Sequence, residues 1–136
     1  MKVLFLDVDG VLNMEASGGL KTLNRNRLKL LEEIINTSGC KIVVSSSWRK
    51  DAAYLNRLHR VLNYRGISVH GVTPILDQKR GYEIKSWLEK HNEVTHYAIV
   101  DDNNDMLESQ QSYFVQTDSN IGLTKDVVDK IIHILI

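Results

Sequence analysis

Short apolar runs recur along the chain, and each ends in a polar cluster. Val3-Leu4-Phe5-Leu6 runs into Asp7, then Asp9 and Gly10. Ile42-Val43-Val44 runs into Ser45-Ser46-Ser47-Trp48-Arg49. Tyr97-Ala98-Ile99-Val100 runs into Asp101-Asp102-Asn103-Asn104-Asp105. Apolar runs without polar alternation predict strands covered on both faces of a parallel sheet. Two further strands are predicted over 67–72 and 113–116.

Between these runs the apolar spacing changes to that of helices. Leu28, Leu31, Ile34 and Ile35 share one face of a helix over 24–37, and Gly39 stands where a helix end favours glycine. Leu55, Leu58, Val61 and Leu62 mark a second helix over 51–63, ended by Gly66; Ile84, Trp87 and Leu88 mark a third over 81–91. Thr124 can cap a last helix striped by Val127, Val128, Ile131, Ile132 and Leu135. The segment 14–21, with Ser17-Gly18-Gly19 at its centre, reads as a loop or flap over the end of the first strand. Strands alternating with helices predict an α/β fold: one doubly wound, Rossmann-like parallel sheet of about five strands with helices on both faces. The whole chain, 1–136, is expected to be a single domain.

Composition narrows the function classes. The 17 basic and 17 acidic residues cancel, so the overall field selects no partner. Between 49 and 90 basic residues outnumber acidic ones, which suits an anionic substrate, although solvated helix faces explain most of them. Cys40 is the only cysteine, and no Cys/His cluster suggests zinc. No apolar run is long enough to span a bilayer and no signal peptide is recognisable, so a cytoplasmic protein with no membrane partner is expected.

In a parallel sheet the three polar clusters fall on one edge, where open α/β sheets bind their ligands. Asp7 and Asp9 repel each other unless a cation lies between them or one keeps a proton, and hard oxygen ligands point to Mg²⁺. Asp-Val-Asp-Gly alone also reads as an ordinary turn after a strand. The basic pair Lys79-Arg80 changes the picture, because carboxylates, hydroxyls and a cation together are what phosphoryl transfer needs.

These four stretches resemble, in order, the four motifs of the haloacid dehalogenase (HAD) superfamily of phosphatases: 7–13, 43–49, 80–88 and 99–105. The closer resemblance is to small bacterial and phage HAD domains similar to those in nucleic-acid repair proteins, and a more distant one is to the phosphatase half of phage polynucleotide kinase/phosphatase. The resemblance implies Asp7 as the nucleophile that becomes aspartyl-phosphate and Asp9 as general acid/base. It implies Mg²⁺ held by Asp7, the Asp9 carbonyl and Asp102, with Asp101 beside it or acting through water. Gly10 lets the phosphate approach. Ser46 best matches the hydroxyl of the second motif, with Ser45 and Ser47 as rivals. In the third motif Arg80 matches by position and Lys79 by chemistry, and the two cations are not equivalent.

Trp48 reads either as a stacking platform for a base or as packing, and Arg49 as a phosphate ligand or as the partner of an acid. Neither gap that could hold a cap domain is long enough for one, so the site is expected to be open to the end of a large molecule. The expected substrate is a nucleotide or polynucleotide 3′-phosphate. A HAD-fold module that binds a phosphorylated nucleotide or partner without turnover is the alternative, but it would have no need of both Asp7 and Asp9. A two-component receiver domain would place its paired acids after the first strand, whereas here Asp101 and Asp102 follow the fourth.

Overall fold

The computed structural model describes residues 1–14 and 22–136. Strands β1 (Lys2–Leu6), β2 (Lys41–Val44), β3 (Val69–Val72), β4 (His96–Asp101) and β5 (Phe114–Gln116) form one parallel sheet in the order β3-β2-β1-β4-β5. Helices α1 (Arg25–Ser38), α2 (Ala52–Tyr64), α3 (Arg80–Glu89) and α4 (Lys125–Leu135) cover it, and short 3₁₀ turns occupy Ser47–Lys50 and Glu108–Tyr113. Successive strand side chains point to opposite faces. Leu4 and Leu6 therefore pack with Leu28, Leu31, Leu58, Leu62 and Ile131 in the layer of α1, α2 and α4. Val3 and Phe5 pack with Ile84 and Trp87 of α3. Phe5 meets the Trp87 ring edge-to-face at 5.5 Å. Both faces of β1 are covered, which is why its sequence shows no alternation.

Helix ends follow local chemistry. Asn24 accepts from the Asn26 and Arg27 amides at the start of α1, and Gly39 closes it in a left-handed conformation at φ +73°. Asp51 and Thr124 cap α2 and α4. Some expectations shift. β3 begins at Val69 and β5 at Phe114, α3 runs from Arg80 to Glu89, and Leu55, Val61 and Leu88 are only partly buried. The 3₁₀ turn at Glu108–Tyr113 was not foreseen, because it carries no helical stripe. The expected flap falls mostly on 15–21, outside the described residues.

From β1 the chain moves through β2 to β3, then crosses to β4 on the other side of β1 and on to β5. The strand order therefore reverses between β1 and β4, the crevice where such sheets bind ligands. The registers Leu6↔Val44 and Leu6↔Val100 bring Asp7, Ser45 and Asp101 to the same level of the sheet edge. Between β2 and α3 the chain forms only the 3₁₀ turn, α2, β3 and a loop; no cap domain is present among the described residues.

Candidate active site

The first wall of the site is the turn after β1. The ladder continues past the strand end: the Asp7 amide donates to Val100 O at 3.2 Å, and the Ser45 amide to Leu6 O at 3.0 Å. The chain then makes one tight turn, with the Val11 and Leu12 amides both donating to Val8 O. Val8, Val11 and Leu12 are fully buried and anchor the turn in the core. Gly10 sits at φ +79°, a conformation that favours glycine. Asn13 clasps the turn: its Oδ1 accepts from the Gly10 amide and its Nδ2 donates to Asp9 Oδ1, each at 2.9 Å. Thr117 Oγ1 donates to Gly10 O at 2.7 Å from the far side. The Gly10 amide is thus already engaged.

One carboxylate oxygen from each of Asp7, Asp101 and Asp102 lies within 4.8 Å of the others. Asp7 and Asp101 are 5% and 2% exposed. Arg80 Nη1 stands 2.9 Å from Asp101 Oδ2 and 3.6 Å from Asp7 Oδ1. One guanidinium does not balance three carboxylates. Burial, reinforced by the Asp101 charge and opposed by Arg80, pushes the Asp7 carboxyl well above its ordinary range. Burial likewise pushes Asp101 up to about 6 against the pull of Arg80. Lys79 is exposed and forms no ion pair among the described residues. The residues around Arg80 explain its placement. Its amide donates to Asp105 Oδ2 at 3.3 Å, and a Cβ on Gly81 would fall 2.6 Å from Gln110 Oε1. Only a glycine lets the start of α3 pack this closely, and Asp105 serves that junction rather than the carboxylate cluster.

The three serines divide sharply. Ser46 Oγ accepts from the Trp48 amide at 3.1 Å and caps the 3₁₀ turn. Ser47 is exposed. Ser45 is fully buried, and its Oγ is the one buried side-chain polar atom without a hydrogen-bond partner among the described residues. A buried orphan hydroxyl is costly unless a ligand completes it. Ser45 also stands next in register to Asp7 at the sheet edge.

Trp48 is not a stacking platform. It is 5% exposed, its ring packs 5.0 Å from Tyr54, and its indole Nε1 donates to Asp9 Oδ1 at 2.9 Å. Arg49 does not reach the cluster either. It is buried, donates to Ser46 O, Thr73 O, Thr73 Oγ1 and Pro74 O, and pairs with Glu83 at 2.5 Å. Glu83 also lies 3.8 Å from Arg80, so it buttresses the site cation. Glu83, Asn13 and Thr117 were not singled out from the sequence. An acid three residues after Arg80, one helical turn on, was the available signal for Glu83.

Compared with known protein families, residues 3–128 match the model of the HAD domain in Swiss Army Knife RNA repair proteins. The chain belongs to this HAD family. Comparison with curated proteins and with solved structures returned no match. The parallel sheet, its switch point and the absence of a cap among the described residues are those of a small HAD domain, and family membership points to hydrolase chemistry of the phosphatase type. Buried Asp7 and Asp101 and half-buried Asp102 of this HAD domain form a group able to hold a metal ion. None of its helices, among the described residues, is long and apolar enough to cross a membrane.

Proposed function

We propose that this HAD domain is a Mg²⁺-dependent phosphomonoester hydrolase that works through an aspartyl-phosphate on Asp7. The observation that carries the reading is the convergence of Asp7, Asp101 and Asp102 beside a single guanidinium at the switch point of the sheet. The donor set fits a hard divalent cation, being all carboxylate oxygen and carrying more negative charge than Arg80 balances. Asp7, Asp101 and Asp102 would hold the ion, with the Asp9 carbonyl as a further ligand. Bound there, Mg²⁺ supplies positive charge to the phosphate and keeps the buried carboxylates ionised at neutral pH.

The chain's own groups account for the remaining chemistry. A carboxylate oxygen of Asp7 attacks phosphorus while the bond to the leaving oxygen breaks, and Asp9 delivers a proton to that oxygen. Asp9 then takes a proton from water as the water oxygen attacks the aspartyl-phosphate. The bond from phosphorus to Asp7 breaks and inorganic phosphate leaves. Arg80 and the Ser45 hydroxyl donate to the non-bridging oxygens.

The substrate we favour is the phosphorylated end of a polynucleotide, a 3′-phosphate above others, or a nucleotide. Relatives of this family occur in RNA repair proteins. The described part of the site is uncapped, and basic residues outnumber acidic ones between 49 and 90. Turnover with Mg²⁺ should be compared on a 3′-phosphorylated oligonucleotide, a phosphopeptide and sugar phosphates, with Asp7→Asn as control. A higher kcat/KM on the oligonucleotide and loss of activity in Asp7→Asn are expected. Preference for sugar phosphates would overturn the substrate, and an active, folded Asp7→Asn variant would overturn the mechanism.

A further inference from the structure

Asp9 lies on the turn clasped by Asn13, and it is held from two sides. Its Oδ1 accepts from the Trp48 indole Nε1 and from Asn13 Nδ2, each at 2.9 Å. Both donors are themselves fixed. Asn13 is buried, and its Oδ1 accepts from the Gly10 amide. The Trp48 amide is bound by Ser46 Oγ, and its ring is wedged against Tyr54. Asp9 Oδ2 has no hydrogen bond among the described residues. An indole N–H can only donate, and a carboxamide NH₂ likewise. Two donors on Oδ1 fix it as an acceptor and set the plane of the carboxylate, leaving Oδ2 as the oxygen without a protein donor among the described residues.

We infer that Trp48 is a positioning residue for Asp9: with Asn13 it holds Oδ1, so that Oδ2 is the oxygen that passes a proton to the leaving group and later takes one from water. The inference rests on the reading of Asp9 as general acid/base. It also accounts for a buried tryptophan directly after the serine cluster. The 3₁₀ turn sends Trp48 to Asp9 and Arg49 to Glu83, so a single short turn braces both the acid/base residue and the residue behind the site cation.

Leaving-group dependence tests this, because orientation of a general acid matters most where the departing oxygen is a poor leaving group. Trp48→Phe removes the N–H and keeps an aromatic ring. Incorporating 3-benzothienylalanine at position 48 removes the N–H and keeps the indole shape. Each should be assayed beside wild type and Asp9→Asn on p-nitrophenyl phosphate and on a 3′-phosphorylated oligonucleotide, with thermal unfolding followed in parallel. General acid/base catalysis contributes roughly 10²–10⁴-fold, so both position-48 variants should lose at least about tenfold more kcat on the oligonucleotide than on the aryl phosphate, with KM little changed. A wild type without turnover, or Asp9→Asn with equal losses on both substrates, overturns the underlying reading of the site. A selective Asp9→Asn alongside a folded benzothienyl variant that loses equally on both substrates, or on neither, overturns the role of Trp48.

Discussion

Gly10 leaves the space that the Asp102 carboxylate fills. A Cβ built on Gly10 would fall 2.5 Å from Asp102 Oδ2 and 2.8 Å from its Cβ. The turn after β1 and the acid after β4 are therefore fitted to each other across the switch point. Gly10→Ala should displace Asp102 and strain a backbone at φ +79°, a left-handed cost of roughly 1–2 kcal/mol. The expected outcome is a folded protein whose Mg²⁺ affinity, measured by titration calorimetry, drops about as far as in Asp102→Ala. Wild-type affinity in Gly10→Ala would remove Asp102 from the proposed ligand set.

Ser45 and Ser46 should separate activity from stability. Ser45 Oγ has no partner to lose, so Ser45→Ala should leave the melting temperature unchanged or higher while turnover falls roughly 10–100-fold through the lost donor to phosphate. Ser46 Oγ caps the 3₁₀ turn, so Ser46→Ala should cost about 1 kcal/mol in chemical denaturation. A Ser45→Ala variant with full kcat/KM would return the phosphate contact to Ser46 or to a group outside the serine cluster.

These two serines also show where reading a sequence stops. The strands were legible because β1, β2 and β4 are apolar on both faces, and α1 because its stripe, cap and terminal glycine agree. Choosing among adjacent Ser45, Ser46 and Ser47 needed the register between β1 and β2, which no local pattern encodes. The same holds for Lys79 and Arg80: successive residues at a helix start point in different directions, and the packing of Gly81 against Leu107 and Gln110 decides which one faces the acids. Trp48 was ambiguous because an indole buried on a carboxylate and one exposed for stacking share the same sequence position. Glu83 finds Arg49 through tertiary contact alone.

The Arg49–Glu83 pair should matter far more than its length suggests. Arg65–Glu32 has the same 2.5 Å separation, but its side chains are 18% and 31% exposed against 2% and 4% for Arg49–Glu83. Removing one partner of a buried pair strands the other charge and costs roughly 3–5 kcal/mol, whereas an exposed pair contributes about 0–1 kcal/mol. Urea denaturation should therefore show a large loss for Glu83→Ala and a small one for Glu32→Ala. Glu83→Ala should also lower kcat/KM, since Glu83 lies beside Arg80. Similar losses of stability in the two variants would mean that Arg49 is better hydrated than its burial indicates.

The buried acids predict a pH dependence that metal should reverse. Without a cation, burial raises Asp101 from 3.8 to about 6 and moves Asp7 in the same direction. The folded state then binds protons more tightly than the unfolded chain. The stability that Asp101 contributes is fully present below pH about 4, the unfolded carboxylate range, and is lost as pH rises through about 6, and the contribution of Asp7 is lost in the same direction. Asp101→Asn carries no titrating group at this position, so comparison with it cancels much of the background of other acids. In EDTA, the melting temperature of wild type should fall relative to Asp101→Asn as pH rises from 4.5 to 7.5. Mg²⁺ competes with the same protons, so it should stabilise wild type strongly at pH 7.5 and progressively less below pH 6, and should stabilise Asp101→Asn far less at either pH. If the gap between the two proteins in EDTA stays constant across this range, Asp101 is ionised without a cation, and the case that the aspartate cluster needs a metal to balance its charge fails.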